Sequence, residues 1–299
     1  MSDEILSNMR YYGNVIRPPS EANSYILQVT YGCSHNKCTF CPTYLDKPFK
    51  VRPKDEVLKD IEIARNLMPE TRRVFLADGN AMVLRTEKLA SVLDSLQFAF
   101  PQLQRIGIYA NASDILRKTS QELRELYEKK LSIIYLGLES GNNEVLKRVN
   151  KGATVEEMIK AVRRAQELGF KISVIGLLGL GGTELWKEHA VDTGKAISAM
   201  DPRYFSLLTV IVVPGTVLHM QWEQGKFILP EPLEMLKEMR FIIENINVHS
   251  GCIFRTNHAS NYLALAGRFP HDKERFLHTI DRALATGESC LRPEFLRGL

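Results

Sequence analysis

Residues 154–178 read TVEEMIKAVRRAQELGFKISVIGLL, and the reading of this stretch decides the fold. Positions 155–168 are amphipathic and read as a helix. Thr154 followed by Glu157 is a capping-box pattern, in which a hydroxyl and a carboxylate satisfy backbone N–H groups that a helix start leaves orphaned. Gly169 stands where the helix needs a left-handed residue to end on. Positions 171–178 then form a short apolar run of strand character.

The same rhythm recurs along the chain. Strand-like runs fall at 24–30, 74–76, 105–109, 132–138, 171–178 and 205–212, with amphipathic segments at 55–67, 87–96, 121–129, 155–168 and 184–200. Thr119 and Glu122 repeat the capping box. The strands are nearly continuous apolar runs, as in a parallel sheet covered by helices. Six strands alternating with helices imply a parallel α/β architecture. Periodicity alone leaves an open doubly wound sheet and a full or partial barrel both standing.

The chain has 299 residues, of which 44% are hydrophobic and 25% charged, so wholesale disorder is excluded. Folding can bury roughly 75% of the unfolded surface of a chain this long, enough for a core without disulfide staples. The net charge of +4 is no electrostatic footprint for DNA or RNA, so nucleic acid is not the expected partner. The longest apolar run, at 205–214, is strand-sized, so no membrane partner is expected. The first residues show no signal pattern, and a cytoplasmic protein is expected.

Five cysteines occur, and Cys33, Cys38 and Cys41 lie within nine residues directly after the first strand. Such a cluster reads as metal-binding or catalytic. Structural zinc favours four closed ligands, and electron-transfer iron–sulfur clusters also favour four thiolates. Three thiolates leave one iron of a four-iron cluster open to a substrate or cofactor. The plainer reading is a zinc knuckle whose fourth ligand is His35.

At this point the sequence resembles the radical S-adenosylmethionine (SAM) superfamily, whose signature is C-x3-C-x2-C with an aromatic residue before the last cysteine. Phe40 holds the aromatic place, while four residues rather than three separate Cys33 from Cys38. Asp78-Gly79-Asn80 resembles the Gly-Gly-Glu-like turn that holds the methionine amino group in that family; the plainer reading is a β-turn. Gly137-Leu138-Glu139-Ser140-Gly141, continuing to Asn150-Lys151-Gly152, is similar to the branch that contains methylthiotransferases, the Elongator catalytic subunit and oxygen-independent coproporphyrinogen oxidases.

The resemblance implies a partial (β/α)6 TIM-like barrel over residues 24–216, with an N-terminal extension at 1–23 and a helical C-terminal extension at 217–299 packed on the core. It implies a [4Fe–4S] cluster held by Cys33, Cys38 and Cys41, with His35 the other candidate ligand. Glu139, beside Ser140, would receive the SAM ribose hydroxyls or amino group. Lys151 would lie near the SAM carboxylate, or else be a solvated lysine at a helix start. Leu177, at the start of a glycine-rich strand end, and Val213 would wall the adenine. Asn111 and Ser113 would face the same mouth or be turn residues.

Residues 255–262 pack a cation, two amides, an imidazole, hydroxyls and a phenol into eight positions. They read as a buried polar network, with His258 the candidate for a substrate pocket or a proton donor. His249, Cys252 and His258 lack a fourth ligand for a second metal, and Cys290 reads as inert.

The implied activity is reductive cleavage of SAM to a 5′-deoxyadenosyl radical that abstracts hydrogen from an unidentified substrate, with flavodoxin or ferredoxin as electron donor. The alternative is a non-catalytic zinc or iron–sulfur protein for binding or electron transfer. A third reading, tRNA modification, is disfavoured by the near-neutral charge.

Overall fold

The computed structural model describes residues 10–298. Its strands are β1 (Tyr25–Gln28), β2 (Thr30–Tyr31), β3 (Lys50–Val51), β4 (Arg73–Ala77), β5 (Arg105–Tyr109), β6 (Leu131–Glu139), β7 (Lys171–Leu178), β8 (Tyr204–Thr209), β9 (Cys252–Arg255) and β10 (Ala266–Phe269). Its helices are α1 (Lys54–Leu67), α2 (Thr86–Ala99), α3 (Ala112–Arg117), α4 (Ser120–Glu128), α5 (Asn143–Arg148), α6 (Val155–Glu167), α7 (Gly182–Met200), α8 (Val217–Glu223), α9 (Pro232–Glu244) and α10 (Lys273–Thr286). In hydrogen-bonded order the main sheet runs β1-β4-β5-β6-β7-β8-β9-β10, and β2 pairs separately with β3. The pairs are parallel at β1/β4, β4/β5, β5/β6, β7/β8 and β8/β9, and antiparallel at β9/β10. This is the expected α/β class, a partial TIM-like barrel.

The chain divides into two compact units. One comprises the stretch up to Asn36, Thr43–Leu136 and Arg164–Lys171; the other comprises Lys37–Pro42, Gly137–Arg163 and the chain from Ile172 onward. In the first unit, Phe75 on β4 meets Tyr109 and Tyr135 edge-on, with centroids 4.9 and 5.5 Å away. Burying each such side chain contributes about 1.5–3 kcal/mol. In the second unit, Phe254 stacks on Phe205 and meets Phe269 and Phe276 at 5.1 and 5.3 Å.

Local chemistry sets the boundaries. Thr119 and Glu122 close the capping box of α4, and Thr154 and Glu157 exchange the same two bonds at α6. Gly169 has a φ of +97°. The C-terminal segment is not helical throughout: β9 and β10 extend the sheet beyond β8. Both strands are four residues long, too short for period-2 alternation to stand out. Among the described residues, no helix is long and apolar enough to cross a membrane.

Candidate functional site

In the first unit, the cysteine segment leaves β2 at Gly32 and returns at Lys50. Gly32 has a φ of +68°, and a Cβ there would lie 2.3 Å from the Lys47 carbonyl oxygen, so only glycine lets the two ends of the loop approach. The turn after β4 is stitched to this loop. The Gly79 N–H donates to Gly32 O at 3.1 Å, and the Gly32 N–H donates to Asp78 Oδ2 at 3.0 Å.

Asp78 is fully buried and left-handed, with a φ of +71°. Lys47 Nζ lies 2.8 Å from its Oδ2 and 3.0 Å from its Oδ1, and the Gln28 amide donates to Oδ2 at 3.2 Å. Burial pushes the Asp78 carboxyl above its ordinary range, against the opposing pull of the Lys47 hydrogen bond and charge. The chain's own lysine, amide and N–H thus occupy the Asp78 carboxylate.

Gly79 is the point of close approach. A Cβ there would sit 2.5 Å from Cys33 Cβ and 2.7 Å from the Tyr44 ring. Asn80 is buried and also faces inward: its amide donates to Ser34 Oγ at 2.7 Å and to Asp114 Oδ2 at 2.5 Å, and its Oδ1 accepts from the Asn111 N–H at 3.2 Å. Both N–H donors of Asn80 thus serve the cysteine loop and α3. Asn111 is the half-buried N-cap of α3, without a side-chain cap bond, and Ser113 is exposed in its first turn. Asn36, between Cys33 and Cys38, has a φ of +40°, and its amide donates to Tyr44 O at 2.9 Å. Asparagine tolerates that conformation better than most residues.

In the second unit, the Cys41 N–H donates to Cys38 O at 3.2 Å, so these two cysteines share one turn. The Thr39 N–H donates to Val149 O at 3.0 Å, and Thr39 O accepts from Leu218 N–H at 2.9 Å. Phe40 packs on the buried cluster Val145, Val149, Leu180, Val210 and Leu218, as do Leu177 and Val212. Val213 is half-buried beside Val212, its carbonyl accepting from the Thr216 hydroxyl at 2.7 Å.

Glu139 ends β6 with a φ of +62°, a conformation that costs a non-glycine residue about 1–2 kcal/mol. Its Oε1 accepts from Lys151 Nζ at 2.8 Å. A Cβ on Gly137 would lie 2.0 Å from that oxygen, so the glycine makes room for the carboxylate to fold back along the strand. Ser140 is fully buried, and its Oγ lies 2.7 Å from His189 Nδ1 while accepting from Asn142 N–H at 3.0 Å. Its hydroxyl therefore has internal partners on α7 and at the start of α5.

His258 belongs to a polar clamp over the end of β8. Ser260 Oγ accepts from Thr209 N–H, and Asn261 bonds Thr209 Oγ1, Leu207 O and Thr256 O. His258 Nδ1 accepts from the Ser260 N–H at 3.1 Å, which leaves the ring proton on Nε2. Burial, then the nearby Arg292 charge, pushes the His258 imidazole below its ordinary range. Cys252 is buried in β9, and burial pushes its thiol up to about 12. Lys47, His189 and Gly137 are the structural contributors that residue-by-residue reading passed over. Only Gly137 carried a signal, its place in the quoted motif.

Cys33, Cys38 and Cys41 are half-buried, and none of them is in a disulfide. Three soft thiolate donors from one short segment, uncommitted to disulfides, suit iron–sulfur ligation. Among the described residues, no group of three or more His, Cys, Asp or Glu side chains stands arranged around a metal position.

The family model of the Radical SAM superfamily matches residues 27–193. The chain belongs to the radical SAM superfamily. Radical SAM proteins use a [4Fe–4S] cluster and SAM, and these are the cofactors of this chain's core. Over 223 residues it is 26% identical to the heme chaperone HemW of Bacillus subtilis (strain 168), covering 71% of this chain and 56% of HemW. Over 243 residues it is 27% identical to an uncharacterized protein of Methanocaldococcus jannaschii, covering 75% of this chain and 74% of that protein. The match thus spans little more than half of HemW. Among solved structures, the radical SAM enzyme coproporphyrinogen III oxidase (HemN) from Escherichia coli superposes with a TM-score of 0.55 at 18% identity, over 74% of this chain and 52% of that one. That likeness is one of fold.

Proposed function

We propose that this chain is a radical SAM enzyme in which Cys33, Cys38 and Cys41 hold the cluster. The observation that carries the reading is the set of three half-buried cysteines, none in a disulfide, in one nine-residue segment of a radical SAM core. When bound, the cluster and SAM would supply reductive S–C5′ cleavage, one electron and SAM giving methionine and a 5′-deoxyadenosyl radical able to abstract hydrogen from a substrate. A low-potential donor such as flavodoxin or ferredoxin provides that electron.

The chain's own residues bind and shield. Glu139 keeps one oxygen on Lys151 and has further lone pairs for ribose hydroxyls or an ammonium. Phe40, Leu177 and Val213 present apolar surface to the adenosyl group and exclude water. His258, with its proton on Nε2, donates a hydrogen bond toward the substrate.

The test is anaerobic reconstitution with iron and sulfide, addition of dithionite and SAM, and quantification of 5′-deoxyadenosine, with Cys38→Ala as control. Product that vanishes in the control supports the reading; a reduced cluster that yields none, with or without candidate substrates, overturns it. The similarity to HemW favours a second reading, heme binding without turnover. A hemin titration that saturates at one equivalent while SAM stays intact would support it.

A further inference from the structure

Glu238 lies on α9, well past residue 193 where the matched radical SAM segment ends. It and His189 are both fully buried. Glu238 Oε1 accepts from the Gly179 N–H at 2.8 Å and lies 3.2 Å from His189 Nε2. The same Nε2 is 3.1 Å from Leu177 O. Both of its neighbours are acceptors, so Nε2 carries the ring proton. Nδ1 is then the acceptor for the Ser140 hydroxyl, 2.7 Å away. One buried chain of bonds thus runs from α9 through α7 to the ends of β6 and β7.

Two features argue that this chain does more than fasten a helix. Gly179, Gly181 and Gly182 give the turn after β7 few side chains to fix itself, and two of them sit at φ of +81° and +61°. The turn closes on itself through the Gly182 N–H to Gly179 O bond at 3.1 Å, and Glu238 adds a side-chain hold from outside on its first N–H. Glu238 Oε2 is also buried without a hydrogen-bond partner among the described residues. An orphaned carboxylate oxygen is costly where methionine would pack as well.

We propose that Glu238 is a positioning residue. Through Gly179, and through His189 to Ser140, it holds the turn after β7 and the segment after β6 in one arrangement for SAM. The inference rests on the reading that these two segments receive SAM.

The test uses the full chain with two readouts. Amide hydrogen exchange, without SAM, is followed in peptides covering 176–184 and 138–143. SAM affinity is measured by equilibrium binding to the reconstituted protein. Glu238→Met should speed exchange in both peptides and weaken SAM by about tenfold or more, as misplacement of binding groups does. Glu238→Gln, which can still accept from Gly179, should restore most of both. Glu238→Met combined with His189→Leu should lose little more than Glu238→Met alone. Met239→Ala, a buried change on the same helix, should lower Tm without moving either readout. If Glu238→Met does not fold, His189→Gln replaces it with the same expectation. Wild-type exchange in both peptides, or SAM affinity within about twofold of wild type in a folded variant, overturns the inference. If iron-loaded wild type fails to bind SAM, the proposed function falls, and the exchange data still decide whether Glu238 pins both segments.

Discussion

Lys47→Met would break the buried ion pair that joins the end of the cysteine segment to the turn after β4. Lys47 and Asp78 side chains are 5% and 0% exposed, and their closest atoms are 2.8 Å apart. Removing one partner of such a pair costs about 3–5 kcal/mol, because the other charge stays buried without compensation. The Gly32 N–H and the Gln28 amide still reach Asp78, so the lower end, about 3 kcal/mol, is expected. At about 2 °C per kcal/mol for a chain of this size, Tm should fall by roughly 6 °C.

The loss should depend on pH in a defined direction. Burial already holds the Asp78 carboxyl above its unfolded value of 3.8, and Lys47 opposes that shift. An acid whose pKa is higher in the folded state binds more protons there. Its contribution is most favourable at low pH and is lost as pH rises from the unfolded value through the folded one. Without Lys47 that window extends upward, so the variant should lose more at pH 8 than at pH 5. Urea unfolding at both pH values measures this. Lys47→Met with Asp78→Asn removes both charges and should recover to within about 1 kcal/mol of wild type. A single variant that costs under about 1 kcal/mol at pH 8, a loss independent of pH, or additive losses in the double variant would refute the reasoning.

Gly79→Ala places a Cβ 2.5 Å from Cys33 Cβ; iron bound per chain after reconstitution should fall while circular dichroism is unchanged. Gly137→Ala drives a Cβ to 2.0 Å from Glu139 Oε1; equilibrium dialysis should show SAM binding weakened by about tenfold or more. The His258 imidazole is held below its ordinary value of 6.5 by burial and Arg292. The unfolded chain therefore takes up that proton first, and this contribution to stability is lost as pH falls below 6.5. Proton NMR should show His258 titrating on the acid side of a free histidine, and Arg292→Met should move it up.

Much of the barrel was legible because burial leaves a local trace. The runs at 105–109 and 171–178 coincide with β5 and β7, and both capping boxes form as their spacing implies. What stayed hidden is short or non-local. Helices α3 and α5 have six residues each, under two turns of period. Strand β9 is recognisable only once Phe254 meets Phe205, far away in the chain.

The candidate site divides in the same way. Cys33, Cys38, Cys41 and Glu139 were legible as candidates because their meaning lies in spacing along the chain. Asp78, Asn80 and Ser140 belong to motifs just as visible, yet their side chains face inward, toward Lys47, Asp114 and His189. The reason is physical. β4, β6 and β7 each end through a left-handed residue, Asp78, Glu139 and Gly179. A sharp turn at a strand end leaves backbone and side-chain groups in need of partners, and a nearby polar side chain meets that need before it can serve a ligand. A motif letter at a strand end therefore tells which residue is present, not which way it faces. Glu139 differs in degree: it and its partner Lys151 have side chains 12% exposed, against 0% and 5% for Asp78 and Lys47. Sorting strand-end carboxylates by the burial of their own partners ranks Glu139 ahead of Asp78 as a candidate to meet a ligand.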